Sequence, residues 1–287
     1  MSDAEDPIAR SDLPTRFVAG VTMIAVAVAA TWLGGWPFRL LGTAAAVVML
    51  IEWADMHRVP RLWAWTGAAL LAGILLAGTE YLYPVGAADW MFDPATGDMV
   101  AYADAETLSP SWLGFGGVAL VALVVGLVSR RLAMIGGVLY VGIPTLAMLS
   151  LSWVWTILVF WVFIVTWATD ILAYFAGRAI GGPKLAPRIS PNKTWAGLAG
   201  GVAGAALLGW LAAAFFEMET LFLWLGGPMG LIAQAGDLYE SWVKRRAGVK
   251  DSGTILPGHG GVLDRLDGLL AVALATTLLL MAGMWTA

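Results

Sequence analysis

Cysteine is absent from the 287 residues. That excludes a disulfide framework, thiolate metal sites and a cysteine nucleophile, and it leaves the compartment open. Charge is scarce: Asp, Glu, Lys and Arg make up 13% of the chain, against about 25% in soluble domains. A water-facing surface of ordinary polarity cannot be built from so few, so a soluble enzyme is excluded. Positive charge is not in excess either. The formal net charge is −4 and the pI about 5.1, which argues against a nucleic-acid partner. There is no Walker-type phosphate loop, no H-E-x-x-H pair, no repeat and no low-complexity tract. What is plentiful is apolar: 60% of the residues are hydrophobic, 16 are tryptophan, and mean hydropathy is +0.79. Disorder needs the opposite composition, and tryptophan concentrates at membrane interfaces.

The composition predicts an all-α polytopic membrane protein. A membrane helix needs about 20 mainly apolar residues. Nine stretches qualify: 17–35, 37–56, 62–83, 112–129, 132–150, 152–172, 196–216, 219–236 and 268–286. The eighth is the weakest, because Gly226, Gly227, Pro228 and Gly230 sit in its middle. The alternating ten-residue segments of a membrane barrel are not found. Basic residues set the orientation. With the N-terminus cytoplasmic, Arg10, Arg16, Arg58, Arg61, Arg130 and Arg131 fall inside, as do the basic residues of 178–193 and 244–265. Only Arg39 of the 16 Lys and Arg is then external, and nine spans put the C-terminus outside. The polar, mostly acidic start, Met1 to Arg16, lacks a secretory signal, so the first apolar stretch reads as a retained anchor. The 84–111 loop, with five acids and no Lys or Arg, reads as solvated and external. The whole chain, 1–287, reads as one membrane domain.

Two predicted cytoplasmic segments concentrate the chemistry. In the first, Asp170, Tyr174, Gly177 and Gly181 recur at i, i+4, i+7 and i+11 and share a helical face. An acid at the end of an apolar run is expensive and marks function. The loop from Ser190 through Lys193 to Thr194 then sets hydroxyls, a cation and backbone amides just before a helix, a place suited to phosphate. In the second, Asp237, Ser241 and Lys244 lie on one helical face, and Asp264 and Asp267 on another. Between them come the basic run Lys244 to Arg246 and a loop with Gly253, Gly258, His259, Gly260 and Gly261. Hard oxygen ligands, Gly-rich backbone and cations are what Mg²⁺ with a polyphosphate requires. A Gly-flanked histidine such as His259 serves more naturally as a hydrogen-bond donor than as a proton carrier.

The run from Ser241 to Asp267, S-W-V-K-R-R-A-G-V-K-D-S-G-T-I-L-P-G-H-G-G-V-L-D-R-L-D, closely resembles the C-terminal motif of the phosphatidate cytidylyltransferases, or CDP-diacylglycerol synthases. Gln234 to Glu240, with its Q-x-G-D-L-x-E pattern, is similar too, as are D-x-x-A-Y-x-x-G-R and I-S-P-x-K-T. The resemblance covers about 130–287. Residues 1–130 match in character, with Glu52 and Trp53 an echo. Asn192 and Ala196 stand where Lys and Glu are common in the family. The resemblance implies the reaction CTP + phosphatidate → CDP-diacylglycerol + pyrophosphate. It implies Mg²⁺ as cofactor, with K⁺ as a companion ion, and a homodimer in a bacterial cytoplasmic membrane with its active site facing the cytoplasm. It assigns Asp237, Asp264 and Asp267 to the metal, and Lys244 with these acids to catalysis. Asp170, Tyr174, Ser190, Lys193, Thr194, Ser241, Arg245, Lys250, Asp251, His259, Gly260 and Arg265 are implied as substrate-binding. A CTP-dependent lipid kinase and a polytopic transporter stay open as other readings.

Overall fold

The computed structural model describes residues 8–80, 89–92, 99–102, 112–255 and 260–282. Among them run α1 (Ile8–Leu33), α2 (Gly35–Met56), α3 (Arg61–Glu80), α4 (Trp112–Val128), α5 (Leu132–Val154), α6 (Thr156–Ile180), α7 (Trp195–Phe215), α8 (Thr220–Ala247) and α9 (Leu263–Met281). Each of the nine apolar stretches coincides with one of these helices. Among the described residues, five helices are long and apolar enough to cross a membrane: α2, α3, α5, α6 and α7. Shorter apolar segments lie in α1 (Val18–Leu33) and α4 (Leu113–Val128). The latter part of α8 and the start of α9 hold the acids and bases singled out above.

Strands occur only as two small antiparallel hairpins among the described residues: β1 (Asp89–Phe92) with β2 (Met99–Tyr102), and β3 (Lys184–Ala186) with β4 (Ser190–Thr194). The second corrects the sequence reading, which makes 190–194 a loop. Lys184 pairs with Thr194 and Ala186 with Ser190 across a register shift. Of the 84–111 loop, only β1 and β2 fall within the described residues.

Sequential helices pack on one another, α6 on α7, α7 on α8 and α8 on α9, and α5 joins this group to α2, α3 and α4. The α6–α7–α8 crossing is held by Trp161, fully buried, whose Nε1 donates to the Gly209 carbonyl at 3.0 Å and whose ring meets Phe222 edge-on at 5.2 Å. Helix α8, the weakest of the nine stretches, runs unbroken through Pro228. The helix packs closely on α7 just before it: a Cβ on Gly226 would lie 2.3 Å from the Ala205 carbonyl oxygen of α7. Only a bare backbone fits at Gly226, so α8 lies directly against α7 there. Helix α8 ends at Gly248, whose φ of 77° is left-handed and whose N–H caps the Lys244 and Arg245 carbonyls. Lys244, Arg245 and Arg246 fill its last turn, where cations suit the helix dipole. Large apolar side chains such as Leu120, Leu127, Trp210 and Phe215 point outward, as a lipid-facing surface requires.

Candidate active site

A cleft of about 630 Å³ opens where the latter halves of α6 and α8 and the first turns of α7 and α9 meet the β3–β4 hairpin. Helix α6 lends Asp170, Ala173, Tyr174, Gly177 and Arg178; Asp170, Tyr174 and Gly177 share the expected face, while Gly181 caps the helix and is not among the lining residues. Strand β4 lends Asn192, Lys193 and Thr194, and α7 lends Gly197 and Leu198. Gln234 and Asp237 come from α8, and Asp264, Arg265 and Asp267 from α9. Asp170 and Asp237 are not at helix ends, as their place in the apolar runs suggests. Each helix continues about ten residues further, to Ile180 and Ala247. The α8 extension is polar and carries Glu240, Ser241 and Lys244, whereas the α6 extension stays largely apolar and lends Ala173, Tyr174, Gly177 and Arg178 to the cleft.

The hairpin is tied to the start of α7. The Thr194 hydroxyl accepts the Gly197 N–H at 3.0 Å, an N-cap that fixes where strand becomes helix. Neighbouring Lys193 reaches across to α8: its Nζ donates to Gln234 Oε1 at 2.9 Å and pairs with Asp237 Oδ2 at 2.6 Å. Asp237 also accepts from Ser241 Oγ, one turn on, at 3.4 Å. Tyr174 accepts from Arg178 at its hydroxyl, 3.2 Å away. Arg245 binds backbone instead of lining the cleft: it donates to the Ile189 carbonyl of the hairpin turn and to the Val249 carbonyl, both at 3.2 Å. Ser190 is half-buried on β4, while Lys250 and Asp251 are exposed beyond α8. His259 lies outside the described residues.

The second charge centre is more deeply set. Lys244 Nζ lies 2.6 Å from Asp264 Oδ1 and 2.5 Å from Glu240 Oε2. The Glu240 contact is an ion pair without a directed hydrogen bond. Asp264 further accepts the N–H groups of Ser252, at 3.0 Å, and Gly261, at 2.8 Å. Gly260, between these partners, has φ +82°, a left-handed conformation that favours glycine. Burial pushes the Glu240 carboxyl up to about 8, against the pull of Lys244, and the Asp264 charge beside it adds to the rise. Burial also works against Asp264 ionising, but the Lys244 ammonium and the Gly261 N–H outweigh that and hold it below the usual range. Lys244 is held up for the matching reason: burial disfavours its charge, and its two carboxylate partners more than restore it.

Glu240 is a residue that reasoning from motifs left out of the site. Its signal was its place at the end of the Q-x-G-D-L-x-E run, one helical turn before Lys244. Among the described residues no group of three His, Asp or Glu side chains is arranged to hold a metal ion by itself. The donor set still suits Mg²⁺. Asp237, Asp264 and Asp267 line one cleft, and Mg²⁺ takes one or two carboxylates and completes its shell with water and phosphate oxygens.

Residues 14–282 match the model of the cytidylyltransferase family. The chain belongs to this family. A phosphatidate cytidylyltransferase of Brucella abortus is 37% identical over 287 residues, covering 92% of this chain and 91% of that protein. The enzyme of the same name from Haemophilus influenzae is 47% identical over 122 residues, 40% of this chain and 42% of that one. One from Rickettsia bellii is 40% identical over 128 residues, 42% of this chain and 54% of its own length. The family match runs from residue 14 to 282 and so includes the N-terminal helices, which the motifs alone tie to the family only in character.

Proposed function

We propose that this protein is a CTP:phosphatidate cytidylyltransferase, a nucleotidyltransferase of phospholipid biosynthesis that converts CTP and phosphatidate to CDP-diacylglycerol and pyrophosphate. The observation that carries the reading is the cleft. It gathers four aspartates, Lys193 and Arg265 from four separate elements, in a chain of this family. A phosphatidate oxygen would attack the α-phosphorus of CTP, forming the new P–O bond as the bond to pyrophosphate breaks. The second pKa of a phosphate monoester is about 6, so the nucleophile is largely ionised at neutral pH and needs little help from a base. Lys193 and Arg265 would attract and orient the phosphates. Lys244, together with the Ser252 and Gly261 N–H groups, holds Asp264 in place. Asp237, Asp264 and Asp267 would hold Mg²⁺, with K⁺ as a companion ion, and the bound metal would neutralise charge on the triphosphate and its leaving group.

The same reading sets nine spans in a bacterial cytoplasmic membrane, N-terminus in and C-terminus out, with the cleft on the cytoplasmic side. The distribution of Lys and Arg supports it. The chain then acts as one membrane domain, 1–130 bracing the catalytic helices of 131–287, and pairs as a homodimer. A mixed-micelle assay with CTP, Mg²⁺ and phosphatidate tests the reaction: CDP-diacylglycerol and pyrophosphate should appear in equal amounts. Release of CDP would identify a lipid kinase instead, and no CTP turnover would favour a transporter.

A further inference from the structure

Glu52, in the last turns of α2, is 3% exposed, and its carboxylate accepts hydrogen bonds from a segment 200 or more residues away. Its Oε1 accepts the Val262 N–H at 2.9 Å. Its Oε2 accepts the Leu263 N–H at 2.9 Å and the Ser252 hydroxyl at 3.2 Å. Val262 and Leu263 are the N-cap and first residue of α9, where helix N–H groups lack partners of their own and favour an anion. The loop closes on the carboxylate from both sides. A Cβ on Gly253 would lie 2.6 Å from Oε1, and one on Gly261 2.7 Å from Oε2. Glu52 thus caps α9 from a different helix, in the half of the chain outside the motif segments.

The same short stretch carries Asp264. Ser252 gives its hydroxyl to Glu52 and its N–H to Asp264. Gly261 packs on Glu52 and donates its N–H to Asp264. Any shift of the Glu52 carboxylate therefore moves the groups that orient Asp264. We propose that Glu52 is a positioning residue for the reaction, fixing the Gly-rich loop and the start of α9 so that Asp264 faces the cleft. This rests on the reading of the cleft as the cytidylyl-transfer site.

The test compares wild type, Glu52→Gln and Gly253→Ala, each purified as the full chain. Gln keeps the size of Glu but replaces an acceptor oxygen with a donor amide facing N–H groups. Gly253→Ala leaves Glu52 intact and pushes the loop from its other side. Hydrogen–deuterium exchange without substrate should speed up in peptides covering 251–255 and 260–266 in both variants, with α6 and α7 unchanged. In the mixed-micelle assay kcat should fall roughly 10- to 10²-fold, the scale of a small misplacement near the reacting groups, and half-saturating Mg²⁺ should rise. Wild-type exchange at the loop, or a loosened loop with unchanged kcat and Mg²⁺ dependence, overturns the proposal. So does faster exchange spread evenly over α2, α3 and α5, which is the signature of lost packing. If wild type forms no CDP-diacylglycerol, the cytidylyl-transfer reading fails, while the exchange data still decide whether Glu52 holds the loop.

Discussion

Replacing Lys244 with Met is the sharpest probe of the buried charge centre. The ammonium pairs with Asp264 at 2.6 Å and Glu240 at 2.5 Å, and the three side chains are 12%, 8% and 1% exposed. Met keeps the length of the stem and removes the charge. Two carboxyl groups then face each other in a poorly solvated pocket. Removing one partner of a buried ion pair costs about 3–5 kcal/mol, because the other charge stays behind uncompensated. Against a total stability of about 5–15 kcal/mol for a typical domain, that is a large loss. It should appear as a clearly lower melting midpoint in detergent, read by fluorescence-detected gel filtration.

Proton linkage sharpens the test. In wild type, Glu240 is raised to about 8 by burial. Its contribution to stability is complete below its unfolded pKa of about 4.3 and is lost as pH climbs through 8. Asp264 is lowered, so its contribution is present above about 3.9 and is lost as pH falls toward its folded value. Without Lys244 both carboxyls bind protons more readily, so the Lys244→Met deficit should be largest near pH 8 and shrink toward pH 5. Adding Glu240→Gln to Lys244→Met should restore much of the midpoint, since only one charge then remains and Asp264 keeps its two backbone donors. If Lys244→Met melts like wild type at pH 8 yet has lost activity, the ammonium serves substrate phosphate and the clamp argument is wrong. A double variant no more stable than the single one would also refute the coupling.

Asp237→Asn and Asp264→Asn should each insert normally and lose roughly 10²-fold or more in Mg²⁺-dependent CDP-diacylglycerol formation. Their double variant should be little worse than either, because both serve one metal, and losses that multiply cleanly would place the two acids at separate sites. Lys193→Ala should lower turnover without unfolding the protein, since its Asp237 partner is about one-third exposed and keeps water and Ser241 as donors. Wild-type kinetics in that variant would remove Lys193 from the site, and Asn192→Lys should be tolerated. Reporter fusions at the 84–111 loop and at Ala287 should both read as external, and a cytoplasmic C-terminus would break the count of nine spans.

The helices were legible because an apolar run of about 20 residues is a strong local signal, and all nine runs became helices. Their inner ends were not, since α8 continues as polar helix where hydropathy falls away, and α6 runs on to Ile180 past the polar Asp170, Tyr174 and Arg178. Strand β3 is three residues long, too short for alternation to show, so the β3–β4 hairpin was hidden and Lys193 was placed on a loop. The shared face of Asp237 and Ser241 was readable because helical spacing puts i and i+4 together. The tie of Lys193 to Asp237 spans two elements, and no spacing rule encodes it.

Glu52 and Glu240 show where local reading stops. An acid buried at the end of an apolar helix must find donors or a cation, so the sequence signals that each has a partner without saying which. Glu240 finds Lys244 one turn away. Glu52 finds backbone N–H groups, which every residue but proline carries and which leave no mark in a sequence. The link from α2 to the start of α9 is therefore invisible as a motif, even though it joins the plainest half of the chain to the residues that the motif makes most conspicuous. It also gives the N-terminal helices a physical part in the site: α2 holds Glu52 in a packed core, with Leu50 and Ala54 fully buried around it, and a rigid carboxylate is what a glycine-rich loop needs if it is to keep one shape.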